Sequence, residues 1–359
     1  MQDTAANFPV AFSKLRDFIA TALEHLGMPV DDSARVAALM AEADLQGSDG
    51  HGVIRLIPYS KRIRAGGINL RPNIRVIEER PAMALLDGDN AMGHLVMSRA
   101  AEIAIAKART AGVAWVGARL SNHAGPASLY ARMPVMADMI GMYFAVGNAN
   151  HLAPWGGLEM LLSTNPLAVA IPAGNESPIV LDMATTVAAY GKVKSRAQRG
   201  EAMPEGWMID RMGRPLTDPK RAEEGLLLPL GGAEAGYKGY GLALIIGILA
   251  GTLNGAAMGR DVIDFNKDPA SVTNTGQAIL AIDVSAFGDV AAFKRHIDML
   301  VRDLRDSERL PSVDRIWMPG EQSAAKRSAY MREGIPLAGS LLRNLDLFAD
   351  ELDIPRLDR

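Results

Sequence analysis

Three short stretches of the chain place reactive side chains at spacings that chemistry can use. In SDGHGVIRLIPY, Ser48 to Tyr59, His51 and Arg55 stand four residues apart. A helix starting there puts them on one face, a turn apart. Imidazole beside guanidinium suits a small carboxylate substrate: the planar fork of Arg55 grips the carboxylate, and His51 exchanges a proton near neutral pH. A capped helix start with a solvated Arg55 would leave the same pattern. In RLSNHAGPASLY, Arg119 to Tyr130, a strand runs into a turn bearing His123, with Gly125 and Pro126 behind it. Strand ends of this kind are where substrates meet α/β sheets, although a turn His satisfied by backbone groups reads the same way. His151 sits in another polar loop, GNANHLAPWGG. His25, His94 and His296 fall in helical or strand contexts and read as packing or surface residues.

A third set comprises LLSTNPLAVAIP, IVLDMATTVAAYGKV and GGAEAGYKGYGL. Each places small or hydroxylated residues beside Gly or Pro, as a flat ligand lying on backbone requires. Asp182 ends an apolar run, so its carboxylate can reach a ribose hydroxyl or cap a helix through Thr185 and Thr186. Lys238, just before an apolar helix, can meet a phosphate near that helix start, or simply be solvated. There is no G-x-G-x-x-G, no P-loop and no G-x-S-x-G. With no Cys and no H-x-x-x-H spacing, no metal site is expected.

These residues need elements to hold them. The 3.6-residue spacing of Phe12, Leu15, Phe18, Ile19, Ala22, Leu23 and Leu26 predicts a helix, and Asp31 or Asp32 can cap a second. Strands are expected in RVIEE, AMALLDGD, VAWVGA and QAILAIDV, helices in MSRAAEIAIAKARTAG and from about Val290 to Ser307, and loops over 195–230. Alternating strands and helices argue an α/β protein with mixed strand order. The uncharged run between Lys238 and Arg260 is long enough to cross a bilayer. Gly247, Gly251, Gly255 and Gly259 would share one face of a helix there, and a wholly buried core helix is the expectation.

At 359 residues the chain has room for about two domains. Its 38 basic and 41 acidic residues leave a net charge of −3, which offers no footprint for nucleic acid or an anionic membrane. The mixed charges of MQDTAANFPVAFSKLRDF argue against a signal peptide, so a cytoplasmic location is expected.

The order SDGHGVIR, SNHAG, APWGG–STNP, LDMATT–GK, PLGG–GYKGYGL and MPGE resembles the malate/L-lactate dehydrogenase-like oxidoreductases across nearly the whole chain. The resemblance implies a non-Rossmann α/β fold with a mixed-sheet cofactor domain and a helical domain. It divides the chain into a helical unit (1–75 and 318–359), an α/β dimerisation unit (76–124 and 277–317) and a cofactor-binding unit (125–276). It further implies an intertwined homodimer and hydride transfer between NAD or NADP and C2 of a small 2-hydroxy or 2-oxo acid. A cyclic imine, or a nucleotide-binding protein without catalysis, would be the alternatives. Carried over, His51 and His123 match the active-site histidines, and Arg55, with Ser48 beside it, matches the carboxylate holder. Asp182, Met183, Ala184, Thr185, Thr186, Tyr237, Lys238, Pro319, Gly320 and Glu321 match segments lining the nicotinamide cofactor, with Asn148 in the loop before His151. Pro126 and Ser128 depart from the family pattern, which bears on substrate choice. The basic run Lys192, Lys194, Arg196 and Arg199 could meet a 2′-phosphate or be a solvated face.

Overall fold

A computed structural model describes residues 7–358. The first six residues, part of the stretch read for a leader, lie outside it, as do Arg359 and the side chains of Ser195, Gln198 and Arg199. The chain opens with β1 (Asn7–Val10), α1 (Phe12–His25), α2 (Val30–Leu45) and α3 (Leu56–Arg64). The expected stripe on α1 is buried at Leu15, Phe18, Ile19, Ala22 and Leu23. Neither Asp31 nor Asp32 caps α2. Pro29 occupies the cap position, and both carboxylates lie in the first turn, near the positive end of the helix.

Next come β2 (Arg75–Arg80), β3 (Met83–Ala91), α4 (Gly93–Ala111), β4 (Val113–Ser121), α5 (Ser128–Val135), β5 (Met139–Ala145), β6 (Leu167–Ile171) and β7 (Ile179–Met183). The segment expected as loop holds the end of α6 (Tyr190–Arg199) and a small ribbon of β8 (Met208–Asp210) and β9 (Gly225–Leu227). Val193, Met203, Met208, Leu216, Ala222 and Leu227 give this part its own small core, which outweighs its prolines. The chain finishes with α7 (Gly232–Ala250), β10 (Gly276–Asp283), α8 (Val290–Asp306), α9 (Glu321–Glu333), β11 (Ile335–Ala338) and α10 (Gly339–Leu352).

The main sheet has seven strands in the order β2-β3-β4-β10-β5-β6-β7. Only β3 and β4 run parallel, joined by α4, so the sheet is mixed, as expected. Small residues at Ala100, Ala101, Ala104 and Ala108 let α4 lie close on β4 and β10. Residues 76–124, 125–183 and 276–283 all contribute strands to this one sheet. A separate apolar core joins α1, α2 and α3 to α10, with β1 and β11 pairing antiparallel beside it.

The glycine-face helix needs correction. It stops at Ala250, because Gly251 leaves helical geometry (φ −99°, ψ −87°) and Gly255 and Gly259 take left-handed values of +68° and +72°. The glycines break the helix instead of lining one face of it. Asn254 then caps the end, its Nδ2 donating to the carbonyl of Ala250 at 2.8 Å. Nor is the helix wholly buried: Tyr237, Ile245 and Ile248 are exposed. Among the described residues, the segment Gly232–Asn254 is long and apolar enough to cross a membrane.

Candidate active site

The last turn of α2 sets up the first half of the site. Asp44 is buried, and its Oδ2 accepts from the amide of Val53 at 2.7 Å. Its carboxylate fills the space that a Cβ on Gly52 would need, about 2 Å from that position. Burial pushes the Asp44 carboxyl up to about 8. The chain is thereby folded into a tight turn over 48–55, with the amide of His51 donating to Ser48 O at 2.8 Å. Arg55 Nε donates to Gly50 O at 2.7 Å, which aims the guanidinium across the same turn as His51.

The second half is the end of β4. Asn122 is buried and donates through Nδ2 to the carbonyls of Asn90 (2.9 Å) and Ala91 (3.0 Å), while its own carbonyl accepts from Gln277 Nε2 at 2.9 Å. The residue before His123 is thus fixed from two strands, β3 and β10. His123 Nδ1 lies 2.6 Å from Tyr59 Oη and 3.4 Å from the amide of Gly125. An amide N–H can only donate, so Nδ1 is an acceptor and the neutral ring carries its proton on Nε2. The ring stacks with two others, His51 (centroids 5.4 Å, 20° between planes) and Phe265 (6.1 Å, 8°).

The environment disfavours the charged imidazoles. Burial pushes His51 down to about 4, with Arg55 adding to the effect. His123 is held well below the ordinary histidine range, chiefly by burial and then by Arg55, His51 and His94. Burial raises the Tyr59 hydroxyl. His94, which the sequence places as a packing residue, is fully buried with its ring edge-on to Tyr59 and neither nitrogen hydrogen-bonded. Burial takes it to about 3.

His51, His123 and Arg55 therefore come together, with Ser48 at the turn beside them. Tyr59, His94 and Phe265 join them without having been singled out. Tyr59 follows Arg55 by four residues, a signal that helical spacing already contains. Phe265 sits in an irregular loop and gives no such signal.

The segments expected to line a cofactor gather around β7 and the start of α7. Asp182 Oδ2 accepts from the amide of Ser128 at 2.8 Å, so it caps α5, the helix after the His123 turn, and not one through Thr185 and Thr186. Thr185 Oγ1 donates to Thr164 O and Thr186 Oγ1 to Ala188 O, at 2.8 and 2.9 Å. Asn148 Nδ2 donates to Thr275 Oγ1 at 2.7 Å. Met183 and Ala184, half-buried at the end of β7, keep accessible surface. The carbonyl of Pro319 accepts from Val180 at 2.9 Å, Gly320 turns with φ +85° against Val180, and Glu321 accepts from Met318 N and pairs with Arg305 and Arg315. Tyr237 and Lys238 are exposed, the ammonium 5.8 Å from the Tyr237 ring centre. In the basic run, Arg196 bonds Ala202 O and Glu201, and Lys194 lies over Tyr190, which also stacks on His151 at 4.2 Å.

The donor set is one of proton carriers and cations. His123, His51 and Tyr59 can hold or move protons and Arg55 can hold an anion, but no side chain here can take a hydride. A redox reaction needs a carrier, and the exposed ammonium of Lys238 and the half-buried apolar edge of Met183 and Ala184 have the chemistry to meet the phosphate and the flat ring of a dinucleotide.

Comparison with known proteins places the chain. Residues 10–346 match the family model described as malate/L-lactate dehydrogenase. The chain is 38% identical over 349 residues to a malate dehydrogenase of Pyrococcus horikoshii, covering 96% of this chain and 95% of that one. It is 33% identical over 331 residues to a ureidoglycolate dehydrogenase (NAD(+)) of Escherichia coli strain K12, covering 92% and 93%. The solved structure of malate dehydrogenase from Pyrococcus horikoshii OT3 superposes with a TM-score of 0.90 at 36% identity, covering 98% of this chain and 97% of that one. With sequence and backbone in agreement over nearly their whole length, this chain belongs to the malate/L-lactate dehydrogenase family of oxidoreductases.

Proposed function

We propose that the protein transfers a hydride between NAD(H) or NADP(H) and C2 of a small 2-hydroxy or 2-oxo acid. The observation that carries this reading is the single cluster of His123, His51 and Arg55, with Tyr59 on His123 Nδ1. Relatives named malate dehydrogenase and ureidoglycolate dehydrogenase (NAD(+)) support the substrate class and the cofactor.

A bound nicotinamide supplies the hydride donor or acceptor; Met183, Ala184, Tyr237, Lys238 and the Pro319–Glu321 turn would hold it. Arg55 binds the substrate carboxylate and sets C2 in place. His123 directs its Nε2 proton at the C2 oxygen; as that proton passes to the oxygen when the carbonyl is reduced, one enters Nδ1 from Tyr59 Oη, so the ring stays neutral and the hydroxyl is reprotonated from solvent. In oxidation the ring must accept at Nε2, and its Nδ1–H then donates to Tyr59. The hydroxyl can donate or accept, so it serves both directions, whereas Gly125 N–H favours the reductive one. His51, neutral and stacked on His123, keeps water from that face.

The homodimer and the three-part division of the chain belong to the same proposal. The exposed apolar face of Tyr237, Ile245 and Ile248 supports a second copy packing on α7. A panel of 2-oxo acids with NADH and NADPH, followed by nicotinamide absorbance, tests the central reading. Oxidation of either cofactor by at least one acid is the expected result, and none by any acid would overturn it.

A further inference from the structure

Two of the segments proposed to hold the cofactor meet at β7, which runs into Met183 and Ala184. The Pro319–Glu321 turn lies along its open edge. There Pro319 O accepts from Val180 N at 2.9 Å, and a Cβ on Gly320 would come within 2.8 Å of the Val180 Cβ. Val180 and Asp182 are two residues apart in the strand, so their side chains share a face. α5 lies on that face: Val180 packs with Leu129, Tyr130 and Ala131, and Asp182 Oδ2 accepts from the amide of Ser128 at 2.8 Å. Val180 is buried and Asp182 is exposed, so the face opens at its Asp182 end.

Arg132 stands one helical turn after Ser128, on the flank of α5 turned toward Asp182. It is half-buried, and burial disfavours its charge. The charged groups that act on it are Glu42 of α2, Arg327 of α9 and Asp182. Each is engaged elsewhere. Glu42 accepts from Arg327 Nε at 2.7 Å and Gln46 Nε2 at 2.6 Å, and Asp182 caps α5. Arg132 itself donates no hydrogen bond and forms no ion pair among the described residues. Arg62, Arg119 and Arg305 share with it a buried Nε that lacks an acceptor, but each of those three still bonds through a terminal nitrogen.

We infer that Arg132 is a phosphate-binding residue of the cofactor site, its terminal nitrogens taking the oxygens of a phosphate that the dinucleotide carries. The inference deepens the proposed NAD(P)-dependent reading and rests on it. A guanidinium drawn partly out of water without an acceptor is unfavourable, and an incoming anion relieves that cost. Its planar fork matches phosphate oxygens. The substrate carboxylate is assigned to Arg55, and the anions that a dinucleotide brings are its pyrophosphate and, in NADPH, the 2′-phosphate. Either presents the same oxygens to Arg132.

The experiment measures dissociation constants for NADH and NADPH by fluorescence, without substrate, on the wild type and on Arg132→Gln and Arg132→Met. Loss of a charge-assisted pair should weaken binding by roughly tenfold or more. A loss confined to NADPH assigns the 2′-phosphate to Arg132, and an equal loss for both cofactors assigns the pyrophosphate. Affinity should also fall less steeply with added NaCl in the variants, since one ion pair is gone. Arg132→Lys, which keeps the charge and loses the fork, should lie between wild type and glutamine. If the glutamine variant does not fold, the methionine variant, which keeps an apolar stem, decides by the same criterion. Affinities for both cofactors within about twofold of wild type in the folded variants would overturn the inference alone. Binding of neither NADH nor NADPH by the wild type would instead remove the reading on which it rests.

Discussion

Tyr59 Oη stands 2.6 Å from His123 Nδ1, and through α3 the same tyrosine is joined to Arg55 one helical turn away. The hydrogen bond therefore links the proposed proton carrier to the segment that carries the proposed carboxylate holder. A displacement of α3 would move both groups together, so proton and substrate keep their registration.

Replacing Tyr59 by Phe keeps the ring against His94 and removes only the bond to Nδ1. Loss of a buried hydrogen bond of about 1–3 kcal/mol corresponds to a fall in kcat of roughly 5- to 150-fold, with KM little changed. Nitrogen NMR of the imidazoles should show His123 largely as the Nε2–H tautomer in the wild type and as a mixture in the variant. An unchanged tautomer with unchanged kcat would show that the bond positions nothing.

For His123→Ala the expected loss of turnover is roughly 100- to 10,000-fold, the usual size of an acid–base contribution, with cofactor affinity near normal. His51→Ala should cost less, since His51 acts by covering a ring face. The reverse ranking would exchange the two roles.

Arg55→Lys keeps the charge and loses the planar fork. KM for the acid should rise and turnover fall through lost alignment, while cofactor affinity stays the same. Kinetics close to wild type would place Arg55 outside the substrate site.

Acid stability should report the buried histidine. His94 titrates near 6.5 when unfolded and about 3 in the fold, so between those values the unfolded chain binds the extra proton. Its contribution is complete above pH 6.5 and is lost as the pH falls toward 3, on the order of a few kcal/mol. Asp44 works the other way: its raised value of about 8 means stability is lost as the pH rises from about 4 to 8. His94→Leu should therefore lose less stability than the wild type between pH 6.5 and 4 in denaturant titrations. Asp44→Asn keeps the acceptor for Val53 and should gain on the wild type as the pH rises to 8. Parallel pH curves for wild type and variants would show that neither group titrates as described.

Much of this site could be read from residue types and spacing. His51 and Arg55 were expected on one helix face; His51 instead precedes the short helical turn Val53–Arg55, and the two share the tight turn over 48–55, while His123 was visible because a strand end followed by Gly and Pro must turn. The helices and strands that follow strict periodicity lie where the pattern puts them. What could not be read depends on distant contacts. Asp182 caps α5 because the sheet brings β7 beside that helix, which no local pattern encodes. Phe265 reaches His123 because Arg62 ties its loop to Asn122. The glycine repeat misled for a related reason: equal spacing suggests a face only while the helix continues, and Gly251 ends it.

The place of β10 also has a consequence for how the molecule is made. It lies between β4 and β5, so the centre of the sheet stays open during synthesis until residues 276–283 emerge, long after its neighbours. Ser121 and Asn122, which precede His123, gain their bonds to Gln277 only when that strand slots in. A nascent chain released short of β10 would present two unpaired strand edges to solvent, the surface that chaperones bind and aggregates grow from. Assembly of the His123 turn thus waits on late translation, and truncation before residue 276 should give an aggregating chain in place of a smaller active one.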